Sequence, residues 1–249
     1  MRRAIVILLL IAAACGDDGT SPNTTGATTS IAATTSTVAP PATAAPDRYR
    51  PTELTTADGL TLEARVYPGS STWVVLGHMR PADMSSWSRV AEALQDAGHS
   101  VLIYNNRGYG ESDGDRQPFN LGVDAEAALA LARSQGAGVI VYGGASMNGA
   151  TAIYLGATQD LAGIFTLSGV PQMPSLGGVD GYLADITEPH LFIAAEDDGL
   201  AASDARHFYD SSSEPREILI YESGGHGTDM LAANPDLEDV ILGFVAEVT

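Results

Sequence analysis

A serine surrounded by very small residues stands in the stretch Y-G-G-A-S-M-N-G-A-T, which runs from Tyr142 to Thr151. An apolar, β-branched run precedes it and a helical pattern follows, so Ser146 falls on a strand-to-helix turn. Such a turn holds a hydroxyl clear above a sheet, where it can attack a carbonyl. The motif G-x-S-x-G is broken at one place, because Asn148 occupies the second glycine position. Asparagine is among the few residues that tolerate a left-handed backbone, and Gly149 beside it can serve close helix packing. The serine is therefore expected to keep its place. The Met147 N–H, at the helix N-terminus, would face a developing oxyanion. The plainer use of a serine here is as a helix cap, so the reading depends on partners.

A serine hydroxyl is a weak nucleophile that needs an adjacent base, itself oriented by an acid. The chain has five histidines. His99 and His190 stand at strand starts, and His207 lies in a helical run. His78 ends a strand but belongs to the loop L-G-H-M-R-P. His226 sits in Y-E-S-G-G-H-G-T-D-M, directly after the last strand, where glycines let the loop fold over a sheet. The acid should follow a strand between the serine and the histidine. The segment H-L-F-I-A-A-E-D-D-G-L-A offers Glu196, Asp197 and Asp198 there, and spacing does not choose among them.

These residues need a scaffold that gathers three distant loops. The segment E-L-T-T-A-D-G-L-T-L-E-A-R-V-Y-P predicts a hairpin turning at Asp58-Gly59. The runs TWVVLGH, SVLIYNN, GVIVYGG, GIFTLSG, HLFIAAE and REILIYES predict further strands. Helical spacing covers Trp87 to Ala97 behind Ser85 or Ser86, Leu121 to Arg133 behind Asn120, and Gly149 to Leu155. It recurs from about Ala202 to Tyr209, and in a terminal helix opened by Pro235 and ending near Val248. A leading hairpin followed by alternating strands and helices predicts an α/β fold: an open, mostly parallel twisted sheet with helices on both faces. Function in such sheets gathers at the carboxyl ends of the strands, where Ser146, the acid cluster and His226 all fall.

The order serine, acid, histidine after successive strands resembles the α/β-hydrolase superfamily, among its members the small esterases and dienelactone hydrolases. The resemblance runs from about Arg50 to the end. It implies an α/β-hydrolase fold and a Ser146–His226–Asp198 triad. The family's acid pattern G-x-x-D-x-x-V is similar to A-E-D-D-G-L-A with Asp198 as the acid, although Ala195 and Ala201 depart from it and Asp197 remains a second choice. The segment LGHMRPADMSSW resembles the family's His-Gly loop with Met79 for glycine, which implies that Arg80 gives the second oxyanion N–H. The segment YNNRGYGES resembles D-x-R-G-x-G-x-S with Asn105 for aspartate, a structural element. The residues V-P-Q-M-P-S-L-G-G-V-D-G-Y-L-A-D-I-T-E-P stand where many relatives insert a helical lid. Short and rich in Gly and Pro, they predict little or no lid and a small, open site.

The implied chemistry is acyl transfer on a small ester. A peptidase or an acyltransferase would use the same triad, and a catalytically silent lipid-anchored binding or envelope protein on the same scaffold is the alternative that Asn148 and Met79 favour. No cofactor or metal is expected, since no Cys/His cluster or phosphate-type glycine loop is present. Hydrophobic residues make up 45% of the 249, enough for one sizeable core. The 31 acidic residues against 12 basic ones make nucleic-acid binding improbable. Oligomeric state is not legible.

The beginning, MRRAIVILLLIAAAC, has two arginines, an apolar run too short to cross a bilayer as a helix, and small residues before Cys15. It resembles a bacterial lipoprotein leader with Ala12 where Leu is usual. That implies residues 1–14 as signal peptide and Cys15 as the lipidated (palmitate-type) first mature residue. Two or more acyl chains would hold the protein on the outer face of a membrane; without lipidation it would be secreted. Residues 15–47 are rich in Thr, Ala, Ser and Pro and cannot bury enough surface to order themselves. They read as a tether spanning about 30 Å, with the hydrolase-like domain over 48–249.

Overall fold

The computed structural model describes residues 48–249; the expected leader, Cys15 and tether lie outside the described residues. The chain opens with β1 (Arg50–Thr55) and β2 (Thr61–Tyr67), the expected hairpin. Then come β3 (Thr72–Gly77), α1 (Ser88–Asp96), β4 (Ser100–Tyr104) and α2 (Leu121–Ser134). Next are β5 (Val139–Ala145), α3 (Met147–Thr158) and β6 (Gly163–Leu167). A small excursion holds β7 (Gln172–Met173), β8 (Gly177–Gly178) and α4 (Asp180–Leu183). The domain ends with β9 (His190–Ala195), α5 (Ala201–Ser211), β10 (Arg216–Tyr221), α6 (Met230–Ala233) and α7 (Leu237–Val248).

Eight of these strands form one sheet in the order β1-β2-β4-β3-β5-β6-β9-β10, and every pair from β4 to β10 is parallel. Strands β4, β6 and β9 are buried along their whole length, as expected of parallel strands covered on both faces. One face packs Val90, Leu94, Ile241 and Val245 from α1 and α7. The other packs Ala125, Leu129, Ile153, Ala205 and Phe208 from α2, α3 and α5. This is the α/β-hydrolase fold. It stacks the ends of β3, β5, β9 and β10 along one edge, where the loops with His78, Ser146, Asp198 and His226 emerge.

Local signals misjudge how three helices are capped or opened. Asp83, and not Ser85 or Ser86, caps the first, taking the Ser85 N–H at 2.8 Å and opening a 3₁₀ turn over Met84–Trp87 ahead of α1. Asn120 precedes α2, but its side chain makes no capping bond. Pro235 stands two residues before α7, behind Asp236. Between β6 and β9 the chain makes a short hairpin and a single helical turn. Val179, Leu183 and Ile186 tuck into the core, so this segment forms a rim.

Candidate active site

Ser146 is the single residue between β5 and α3. Its backbone, at φ 51° and ψ −110°, lies in a region that non-glycine residues occupy only where the surroundings enforce it. The enforcement is visible: Ser146 N–H donates to Leu167 O at 2.9 Å, and Ser146 O accepts the Gly149 N–H at 2.9 Å. The helix returns so close to its strand that a Cβ on Gly144 would meet Asn148 O at 1.9 Å. A side chain there would push the elbow apart. The serine Oγ faces a cavity of about 360 Å³.

His226 reaches that hydroxyl from the loop after β10. Its Nε2 is 2.7 Å from Ser146 Oγ, and its Nδ1 is 2.8 and 3.0 Å from the two Asp198 oxygens. A carboxylate only accepts, so the ring proton sits on Nδ1 and Nε2 is free to take the serine's. The three neighbouring acids divide their work. Asp197 accepts the N–H groups of Gly224 and Gly225 at 3.0–3.2 Å and so holds the histidine loop. Glu196 pairs with Arg206.

The remaining histidines stand elsewhere. His99 and His190 lie at the opposite ends of their strands, and His207 is exposed on α5 against Asp180 at 2.8 Å. Ser168 escaped the sequence reading. Buried and at φ 49°, it follows β6, and its Oγ accepts the Gly227 N–H at 3.0 Å, one residue past His226. Its one sequence signal was a polar residue at a strand's carboxyl end.

Asn148 is helical, so the reason expected for it, tolerance of a left-handed backbone, does not apply. The physical reason is a cross-link. Its Nδ2 donates to His78 O at 2.7 Å, and its Oδ1 accepts from the Tyr142 hydroxyl at 3.2 Å. The side chain fits because Gly77 and Gly144 lie opposite each other in register, and a Cβ on Gly77 would meet Asn148 Cγ at 2.6 Å. A glycine at 148 could not tie the His78-Met79-Arg80 loop to the elbow. Met79 likewise adopts an ordinary backbone and is buried, with its Sδ 2.6 Å from where a Cβ on Gly227 would stand. It packs one oxyanion-side loop against the histidine loop.

Arg80 and Met147 both line the cavity beside Ser146 and His226. Among the described residues no acceptor takes the backbone N–H of either one. Because Asn148 sets the position of the Arg80 N–H through His78, Asn148→Gly should lower kcat by up to roughly 10²-fold. KM should move much less, and Asn148→Asp should lower kcat too, since it loses the donor to His78 O. Steady-state kinetics beside a thermal melt separate this from simple unfolding.

The shell beneath the site is polar and paired. His78 is buried; its Nε2 accepts the Asn106 N–H at 3.1 Å, so its Nδ1–H donates to Met79 O at 2.8 Å. Arg107 bonds Asp124 at 2.7–3.0 Å and Asp58 at 2.8 Å. Burial pushes the Asp124 carboxyl up against the pull of Arg107, while Arg107 holds the more open Asp58 well below the usual range. Asn105 suits its site better than aspartate, because its Nδ2 donates to Glu63 at 2.7 Å where a second carboxylate would be repelled.

Burial pushes the His78 imidazole down, and that of His190 as well. The unfolded chain binds protons at these positions below about pH 6.5, while the native state resists them. Stability is therefore complete above that pH and falls as the pH drops toward the lower native values. Denaturation midpoints should be lower at pH 5.5 than at pH 7.5. His78→Gln should flatten part of that difference.

Among the described residues, no group of three or more His, Cys, Asp or Glu is placed to hold a metal ion, and no helix is long and apolar enough to cross a membrane. A model of the α/β-hydrolase fold family matches residues 72–178, from β3 to the excursion after β6. Two uncharacterized proteins from Mycobacterium tuberculosis strains are each 27% identical over 217 residues, covering 77% of this chain and 77% of theirs. An esterase of Pyrococcus furiosus superposes with a TM-score of 0.71 at 18% identity, over 80% of this chain and 90% of its own. An esterase from Exiguobacterium antarcticum gives 0.68 at 15% identity, over 78% and 99%. An enol-lactonase from Burkholderia xenovorans gives 0.67 at 14%, over 78% and 100%. Sheet order, elbow and these likenesses together show that the chain has the α/β-hydrolase fold.

Proposed function

We propose that this chain is a serine hydrolase that cleaves small carboxylic esters by acyl transfer. The observation that carries the reading is the unbroken relay from Ser146 Oγ through His226 to Asp198, at 2.7 and 2.8 Å, opening into a cavity. Ser146 Oγ would form a bond to the ester carbonyl carbon as its proton passes to His226 Nε2. Asp198 keeps the ring oriented and stabilises its charged form. The carbonyl electron pair moves onto oxygen, received by the Arg80 and Met147 N–H groups, each contributing about 2.7–4 kcal/mol by analogy with measured donors. The C–O bond then breaks, and the leaving alkoxide takes the proton from the imidazolium. Water repeats the sequence on the acyl-enzyme, giving the acid and restoring the serine.

The cavity volume is at the low end of ligand pockets, which favours short acyl chains. The esterase and enol-lactonase names among the structural neighbours agree in kind with this reaction, but fold likeness alone assigns no substrate. Both features behind the silent-scaffold alternative, Asn148 and Met79, fit this structure as supports of the elbow and its loops. We place the activity at the outer face of a membrane, a proposal resting on the leader and Cys15 pattern. The test is to incubate the protein with a fluorophosphonate and with a panel of short-chain and long-chain esters, thioesters and amides. Stoichiometric labelling with fastest turnover of short esters is expected. A folded protein that takes no label overturns the reading.

A further inference from the structure

Resting on the ester-hydrolase reading, we propose that the substrate's acyl part carries a second, anionic group, a carboxylate, and that the Arg80 guanidinium receives it. The chain holds 31 acidic residues, yet no carboxylate lines the cavity at Ser146, and Arg80 is the one arginine that does. Five other arginines of the domain, Arg48, Arg89, Arg107, Arg206 and Arg216, each pair with a carboxylate, whereas Arg50, Arg65, Arg116 and Arg133 make no ion pair among the described residues and stand outside the cavity. Arg80 pairs with none among the described residues. Its guanidinium instead lies over the Phe119 ring, 5.9 Å from the centroid, with Phe119 on the same cavity wall. A guanidinium beside a ring face still has its N–H groups available, and these can make two parallel bonds to a carboxylate.

Outside the cavity lining, Arg116 lies over the Tyr109 ring, 4.3 Å from its centroid. An anion approaching a protein of formal charge −19 is repelled almost everywhere; here it meets guanidinium charge on a wall that holds no carboxylate. The acyl side is the one concerned. The leaving oxygen must face His226 to collect its proton, whereas the carbonyl oxygen rests on the loop from which the Arg80 side chain springs.

The experiment compares two esters matched in length, 1-naphthyl hydrogen succinate and 1-naphthyl butyrate, on the full chain. The wild type should favour the succinate ester in kcat/KM by at least about tenfold, the least that a charge-assisted hydrogen bond supplies. The preference should shrink in 0.5 M salt. Arg80→Gln keeps the backbone donor, and within that variant the ratio should fall to one or below, while Arg80→Lys retains part of it. A wild-type ratio at or below one overturns the proposal even where butyrate is cleaved well, as does a ratio unchanged in Arg80→Gln. Should Arg80→Gln not fold, competitive inhibition of butyrate hydrolysis by free succinate, weakened by salt, is expected of the wild type, and its absence is decisive against. Failure to cleave either ester removes the hydrolase reading itself, a separate outcome.

Discussion

Replacing Ser146 with alanine is expected to lower kcat on a short ester by about 10⁶-fold and to abolish fluorophosphonate labelling, with the melting temperature nearly unchanged. The size follows from the mechanism. Without Oγ there is no acyl-enzyme, and the base and acid that serve it have nothing to act on, so the whole relay is lost with one atom. What remains is the part of catalysis that binding and the oxyanion donors provide to attack by water. Stability should hold because alanine can occupy the turn. The backbone bonds that enforce it, Ser146 N–H to Leu167 O and Gly149 N–H to Ser146 O, do not involve the side chain. A loss of only a few fold in kcat would mean that another residue attacks the carbonyl.

Asp198→Asn should lower kcat by roughly 10⁴-fold, whereas Asp197→Asn should change it only a few fold. Both bond the same loop, Asp197 from an exposed position and Asp198 from a half-buried one, and the contrast lies in what each accepts. Asp198 receives the Nδ1–H of His226 on two oxygens. An asparagine amide in that place can donate to Nδ1, which moves the ring proton to Nε2 and leaves nothing to accept from Ser146. Asp197 receives backbone N–H groups from Gly224 and Gly225, and an asparagine still offers them one carbonyl oxygen. The two variants, assayed on one ester with melts in parallel, give opposite rankings for the two assignments. Equal losses would show that the loop, and not the ring proton, is the sensitive element.

Much of the fold was legible because its signals are local. The runs TWVVLG, GIFTL and HLFIAA are apolar on both faces, which only a covered parallel strand requires, and they are buried in that way. Helix starts were less legible. Asp83 displaces Ser85 and Ser86 as the cap because a 3₁₀ turn precedes α1, and no periodicity announces such a turn. Asn148 and Met79 looked like flaws in motifs for the same reason. A motif records backbone needs at one position, whereas these side chains answer to partners far along the chain: Asn148 to His78, 70 residues away, and Met79 to Gly227.

By itself the sequence determined which residues could do chemistry: a serine, an imidazole and a cluster of acids, each placed after a strand, in an order that a parallel sheet brings to one edge. Only the tertiary structure decided that Asp198 meets the ring while Asp197 and Ser168 hold its loop, and that Arg80 stands alone as a cation in the cavity. The reason is geometric. Strand and helix patterns follow from neighbours a few residues apart, but the hydroxyl and the imidazole are 80 residues apart in sequence and 2.7 Å apart in space. That closure depends on the exit direction of several loops at once.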